Sequence, residues 1–174
     1  KPYKMIFKGQ NFTLTTDKTE ICLESYPSSA NTFFYNILHF INPEISFSHH
    51  THAVGNLKEA LNRGVPIIVI IRNPRDVIAS RVSRFNSSIE LSILEYLSFY
   101  GFVFNNFDKI LILKFDDVIN NLEICLKEVS DFTNIEFDYQ DINSLKKQVR
   151  SHINEVAKNN EVKALPNKKR EEKK

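Results

Sequence analysis

The run Ile67-Ile68-Val69-Ile70-Ile71, followed without a break by Arg72-Asn73-Pro74, sets the class of this chain. Five consecutive β-branched residues leave no polar face. Such a strand reads as the centre of a parallel sheet covered on both sides by helices. The polypeptide then turns at once into a helix, with Asn73 as its N-cap, Pro74 at the first helical position and Asp76 in the first turn. That helix is expected to reach about Phe85. A strand running directly into a helix is the repeating unit of α/β folds.

The flanking sequence repeats the unit. Residues 20–25 (Glu-Ile-Cys-Leu-Glu-Ser) read as a strand, which Tyr26-Pro27-Ser28-Ser29 breaks. Residues 30–41 carry Phe33, Phe34, Ile37, Leu38 and Ile41 at helical spacing, and Pro43 ends that helix. Residues 45–48 read as a short strand, and Asn56 to Asn62 as a helix that Gly64 stops. Downstream, a largely apolar helix is expected over roughly 88–105 and a strand over 109–114. Helices follow at about 120–132, with Leu122, Cys125, Leu126, Val129 and Phe132 on one face, and at about 141–158, with Leu145, Val149, Ile153 and Val156 on one stripe. The pattern predicts one α/β domain over residues 1–174, three layers deep, with a mostly parallel sheet and helices on both faces. Residues 1–18 read as an N-terminal strand or hairpin. Residues 160–174 read as a charged segment that Pro166 interrupts; it stops inside a helix-like run, which suggests a C-terminal element cut short.

Composition narrows the function. A chain of 174 residues that is 42% hydrophobic and 25% charged can bury a core, and a net charge of +2 gives no reason for a nucleic-acid partner. Cys22 and Cys125 each sit in an apolar run and read as small core residues, with neither metal spacing nor a disulfide framework. A reducing, cytoplasmic setting fits them. No apolar run approaches the ~20 residues of a membrane span. Lys1 to Lys8 has no signal-peptide core, so no membrane partner is expected.

In parallel α/β sheets ligands sit beyond the carboxyl ends of the strands, and two loops there are informative. Ser25-Tyr26-Pro27-Ser28-Ser29-Ala30-Asn31-Thr32-Phe33 joins a strand to a helix. Small hydroxyl residues opening a helix present free backbone N–H groups, which with the helix dipole form an anion site or, more simply, a capped turn. In Arg72-Asn73-Pro74-Arg75-Asp76-Val77-Ile78-Ala79-Ser80, Arg72 ends a strand where its fork can reach a phosphate, and Ser80 lies two helical turns on, facing the same side. His49-His50-Thr51-His52 invites a metal reading, but there is no Cys or Glu partner pattern, and the reading adopted is no metal.

Ser-Tyr-Pro-x-Ser-x-Asn-Thr-Phe followed by Arg-Asn-Pro-Arg-Asp-Val-x-x-Ser resembles the two nucleotide-binding loops of sulfotransferases dependent on 3′-phosphoadenosine 5′-phosphosulfate (PAPS). Lys114-Phe115-Asp116-Asp117 after a strand is similar to the family's Tyr-Glu-Asp segment. The resemblance covers about residues 20 to 135 and implies a P-loop-like nucleotide-binding topology. It implies that Ser28, Ser29, Ala30, Asn31 and Thr32 hold the 5′-phosphosulfate, that Phe33 stacks on adenine, and that Arg72 and Ser80 bind the 3′-phosphate. Among Lys163, Lys168, Lys169 and Arg170 it offers candidates for a basic segment closing over that phosphate. Thr51-His52 stands where the family often has a Thr-His whose histidine is the catalytic base, a role suited to a side chain with a reference pKa near ~6.5. The implied reaction is sulfuryl transfer from PAPS to a hydroxyl or amine of a small-molecule or glycan acceptor, with 3′,5′-ADP (PAP) as product.

Two departures fall in the first loop. Ser28 replaces the usual basic residue, which lies beside the donor's bridging oxygen, and Ala30 replaces the usual Gly, which is tolerable where φ is negative. Losing a donor of that kind costs roughly 2.7–4 kcal/mol. Three outcomes follow: another cation such as a nearby Lys or a protonated His50 substitutes, turnover is slow, or the chain binds PAPS or PAP without turnover. A small P-loop-type kinase is a further alternative, disfavoured because the Gly-x-x-x-x-Gly-Lys-Ser/Thr loop is missing.

Overall fold

The computed structural model describes residues 12–164. Four parallel strands, β1 (Ile21–Ser25), β2 (Phe47–His49), β3 (Ile67–Ile71) and β4 (Ile110–Lys114), form a sheet in the order β2-β1-β3-β4. Seven helices accompany them: α1 (Asn31–Ile41), α2 (Val54–Arg63), α3 (Pro74–Phe85), α4 (Ile89–Phe104), α5 (Phe115–Asn120), α6 (Leu122–Thr133) and α7 (Ile142–Ala164). The register puts Leu23 beside Ile68 and Ile68 beside Leu111, so apolar rows run across the sheet.

Alternation along the strands divides the interior into two layers. Ile21, Leu23, Ile68, Ile70 and Leu113 face α1, α6 and α7, where Phe34, Ile37, Leu126, Val129, Leu145 and Val149 meet them. Cys22, Ile67 and Val69 face the other side, with Leu57 of α2, Val77 of α3 and Phe99 and Val103 of α4. The fold is therefore α/β with helices on both faces, as β3 predicts. Both cysteines are buried thiols in these layers.

Adjacent strands β1 and β3 send their following helices to opposite faces, α1 to one and α3 to the other. Their carboxyl ends form a topological switch point, the place where such sheets open a crevice. The two loops singled out from the sequence leave from these two strands.

Several local readings change. Residues 12–18 hold one isolated antiparallel bridge, Thr13 to His49, rather than a strand; residues 1–11 of the expected hairpin lie outside the described residues. The stretch 107–109 is a 3-10 turn, so β4 starts at Ile110. A six-residue helix, α5, precedes α6. Helix α7 continues through Asn159 to Ala164, and Lys168, Lys169 and Arg170 lie outside the described residues. Among the described residues no helix is long and apolar enough to cross a membrane.

Candidate functional site

The first loop is built around two left-handed residues. Ser28 has φ 70° and Ala30 φ 66°, one residue apart. A turn mixing left- and right-handed residues can aim successive backbone N–H groups into one concavity, an anion nest. The condition under which Ala30 would be tolerated without strain, a negative φ, is not met, because the chain must leave β1 and enter α1 within five residues. Helix α1 has no side-chain cap and no acidic residue in its first turn, so its positive end is uncompensated. Asn31 is 4% exposed, and neither its Nδ2 nor its Oδ1 has a hydrogen-bond partner among the described residues. Asn31 therefore brings an unused donor and an unused acceptor to the helix N-terminus.

The second loop reaches the first. Arg72 Nη1 donates to the Ser28 carbonyl at 2.8 Å, and Ser80 Oγ donates to Ser28 Oγ at 3.0 Å. The Arg72 guanidinium lies 4.2 Å from the Phe115 ring centroid, a cation–π contact that fixes its plane. The Tyr96 hydroxyl donates to the Arg72 carbonyl at 3.2 Å. Buried Arg72 Nε has no partner among the described residues, and no described carboxylate pairs with this guanidinium. Arg72, Ser80 and Ser28 thus meet at one point.

Phe33, which the resemblance would stack on adenine, lies in the first turn of α1. It is 9% exposed, packs in the α1 layer, and has the Arg150 guanidinium 5.8 Å from its ring centroid. The backbone of Lys163 lies in the last turn of α7.

The histidine run is a sharp turn in which His50 (φ 61°) and His52 (φ 52°) are left-handed. The histidines contact one another, His49 Nδ1 bonding His50 Nδ1, and each also meets a partner outside the run. His49 stacks on Tyr35 with ring centroids 3.9 Å apart, His50 Nε2 bonds Thr32 Oγ1 at 2.8 Å, and His52 Nδ1 meets the Ser25 carbonyl at 2.6 Å. Among the described residues no three His, Cys, Asp or Glu side chains gather as for a metal. A carbonyl only accepts, so His52 Nδ1 carries the proton and Nε2 of the neutral ring holds the lone pair. Burial, against the raising effect of that carbonyl, pushes His52 down to about 4. Burial and then the neighbouring His49 and His52 push His50 down to about 3, so His50 is no cation at neutral pH.

Sequence reasoning missed Glu24, which it took as one more residue of a strand. Its carboxylate is fully buried and accepts four hydrogen bonds: Thr51 N at 3.0 Å, Thr51 Oγ1 at 2.6 Å and Asn56 Nδ2 at 3.1 Å on Oε1, and His52 N at 2.9 Å on Oε2. Burial drives its pKa up to about 7, against the four bonds that lower it. The available signal was a carboxylate inside an otherwise apolar strand, which needs partners.

No family model and no curated protein sequence matches the chain. Among solved structures it is similar to mouse sulfotransferase SULT7A1 complexed with PAP, with a TM-score of 0.56 and 14% identity. The match covers 79% of this chain and 64% of that one, so the chain corresponds to less than two thirds of that protein's length. The likeness is one of fold.

Proposed function

We propose that residues 1–174 form a sulfotransferase-like domain that binds PAPS at the β1–β3 switch point and transfers its sulfuryl group to a hydroxyl or amine of a small-molecule or glycan acceptor. The convergence of Arg72 and Ser80 on Ser28, at the mouth of the α1 nest, carries this reading. The residues present fit the donor: the left-handed pair Ser28 and Ala30, the orphaned Asn31 amide and the orphaned Arg72 Nε offer donors to two anionic groups. The similar mouse protein is complexed with PAP. The two free thiols suit a cytoplasmic setting without nucleic acid or membrane as partner.

When bound, such a donor supplies an activated sulfuryl group. The 28–32 loop and the α1 N-terminus hold the phosphosulfate and stabilise charge gathering on its phosphate. Arg72 and Ser80 turn from Ser28 to the 3′-phosphate. His52 Nε2 accepts the proton of the acceptor hydroxyl as its oxygen attacks sulfur, and solvent later removes that proton. A ring near pKa 4 is in the required neutral form at pH 7, and a bound polyanion raises its basicity.

Calorimetric titration with PAP and with ATP tests the site. PAP is expected to bind tightly, ATP weakly, and Arg72→Ala to weaken PAP by about tenfold to a hundredfold, the worth of a charge-assisted hydrogen bond. A preference for ATP sinks the proposal. His52→Ala is expected to abolish release of PAP from PAPS in the presence of an acceptor panel while leaving PAP affinity unchanged. Ser28 motivates a second reading, a nucleotide binder without turnover, because a hydroxyl replaces a charge worth roughly a hundred- to thousandfold in rate and His50 does not supply one. Turnover appearing only in Ser28→Lys selects that reading.

A further inference from the structure

Glu24 is the only fully buried carboxylate among the described residues, and no described lysine or arginine forms an ion pair with it. Burying an unpaired carboxylate is costly, and the neighbouring positions do not ask for one: Cys22 and Val69 beside it are apolar. All four of its partners are donors, which suits an acceptor-only carboxylate. Three of the four come from Thr51 and His52, the two residues that follow left-handed His50. A left-handed non-glycine residue costs roughly 1–2 kcal/mol, so the turn with both His50 and His52 persists only where its surroundings over-determine it. Asn56 of α2 ties the same oxygen to the next helix, and its own Oδ1 accepts from Thr15 N at 2.9 Å.

We propose that Glu24 is the positioning residue of this site, its ionised carboxylate holding the Thr51–His52 turn so that the His52 ring stands at the carboxyl end of β1. This rests on the reading of His52 as the base. Protonating Glu24 replaces an acceptor by a donor in a cluster already full of donors, and the turn loosens. Because its pKa lies at about 7, the latch operates in the physiological range. The titratable group on its own strand is Cys22, pushed up to about 12 by burial and by Glu24 itself; in the turn it holds, burial lowers His50 and His52, and Arg81 of α3 disfavours protonation of His52. In the nucleotide-free protein Cys22, His50 and His52 keep one charge state between pH 6 and 8, so a transition there that Glu24→Gln removes belongs to Glu24.

The test is Glu24→Gln, whose amide oxygen can take three of the donors but whose NH2 then opposes the His52 N–H. Wild-type kcat is expected to rise with pH through about 7. In the variant kcat falls about tenfold or more, the pH limb flattens, and PAP affinity stays within about twofold, because the nucleotide loop is untouched. Unchanged kcat, or a lowered kcat that keeps the wild-type limb, overturns the proposal. Should Glu24→Gln not fold, Thr51→Val removes the hydroxyl's bond to Glu24, one that lowers the Glu24 pKa, together with its weaker bond from Ala53 N, and must move the limb to higher pH; an unmoved limb overturns it equally. If the wild type binds no PAP, the reading of the site fails, and 15N spectra still judge Glu24. The His52 amide and ring signals must shift between pH 6 and 8, and signals constant over that range refute the latch.

Discussion

Ala30 sits at φ 66°, ψ 17°, a conformation in which its Cβ crowds the following carbonyl. Glycine adopts it without that clash, at the cost of a more flexible unfolded chain. Ala30→Gly is therefore expected to raise unfolding free energy by about 0.5–1 kcal/mol, and Ala30→Val to lower it by more than that gain. Urea denaturation of both variants checks the pair, and a destabilised Ala30→Gly contradicts a left-handed residue here. The same position shows what could and could not be read from the sequence. Its place in the loop was legible from the order of strand, hydroxyl residues and helix, but its φ was not, since that depends on how tightly β1 must turn into α1. Arg72, Ser80 and Ser28 were legible as residues at strand ends and one helix face. Glu24 was not, because a strand covered on both sides shows no alternation to mark which side chain meets a donor cluster.

At the scale of elements, short apolar runs between clear breakers read well: β3, α1 and α3 lie where periodicity, Asn73 and Pro74 put them. Helix α5 escaped because six residues are too few for a periodicity to appear. Helix α4 poses the opposite difficulty. It is apolar nearly all round, so its sequence announces a helix without saying which side is buried. The fold decides, since α4 must pack on α3 and cover Ile67 and Val69; Phe99 and Val103 are each 2% exposed there, while Leu94 and Leu97 are 65% and 60% exposed on the opposite side. Leu94→Gln and Leu97→Gln should each change stability by less than about 0.5 kcal/mol, whereas Phe99→Ala should cost about 3–5 kcal/mol. Equal losses at Leu97 and Phe99, measured by urea denaturation, would show the helix rotated from this packing.

For the molecule as a whole, the histidine turn and Glu24 set stability against pH in opposite senses. Burial lowers His49 to about 4, His50 to about 3 and His52 to about 4, from an ordinary value of 6.5. Between those values and 6.5 the unfolded chain binds more protons than the folded one, so stability falls as pH drops through that window. Glu24 is raised from 4.5 to about 7, so between 4.5 and 7 the folded chain binds its proton more tightly and stability grows as pH drops. Each proton contributes a slope of about 1.4 kcal/mol per pH unit where the two states differ fully. At pH 7 the three histidines of the unfolded chain still hold about 0.7 proton against about 0.5 on folded Glu24, so the histidines prevail and the carboxylate only blunts their slope. Stability from these groups should therefore rise steeply from pH 5 to about 6.5 and level off above about 7. Urea unfolding at pH 5, 6.5 and 8 checks the shape: wild type should gain less than about 0.5 kcal/mol between pH 6.5 and 8, whereas Glu24→Gln, without the opposing carboxylate, should gain about 1 kcal/mol. Equal gains in wild type and Glu24→Gln from pH 6.5 to 8 would mean that Glu24 is ionised at no cost, and that the sheet gives this carboxylate a counter-charge in solution.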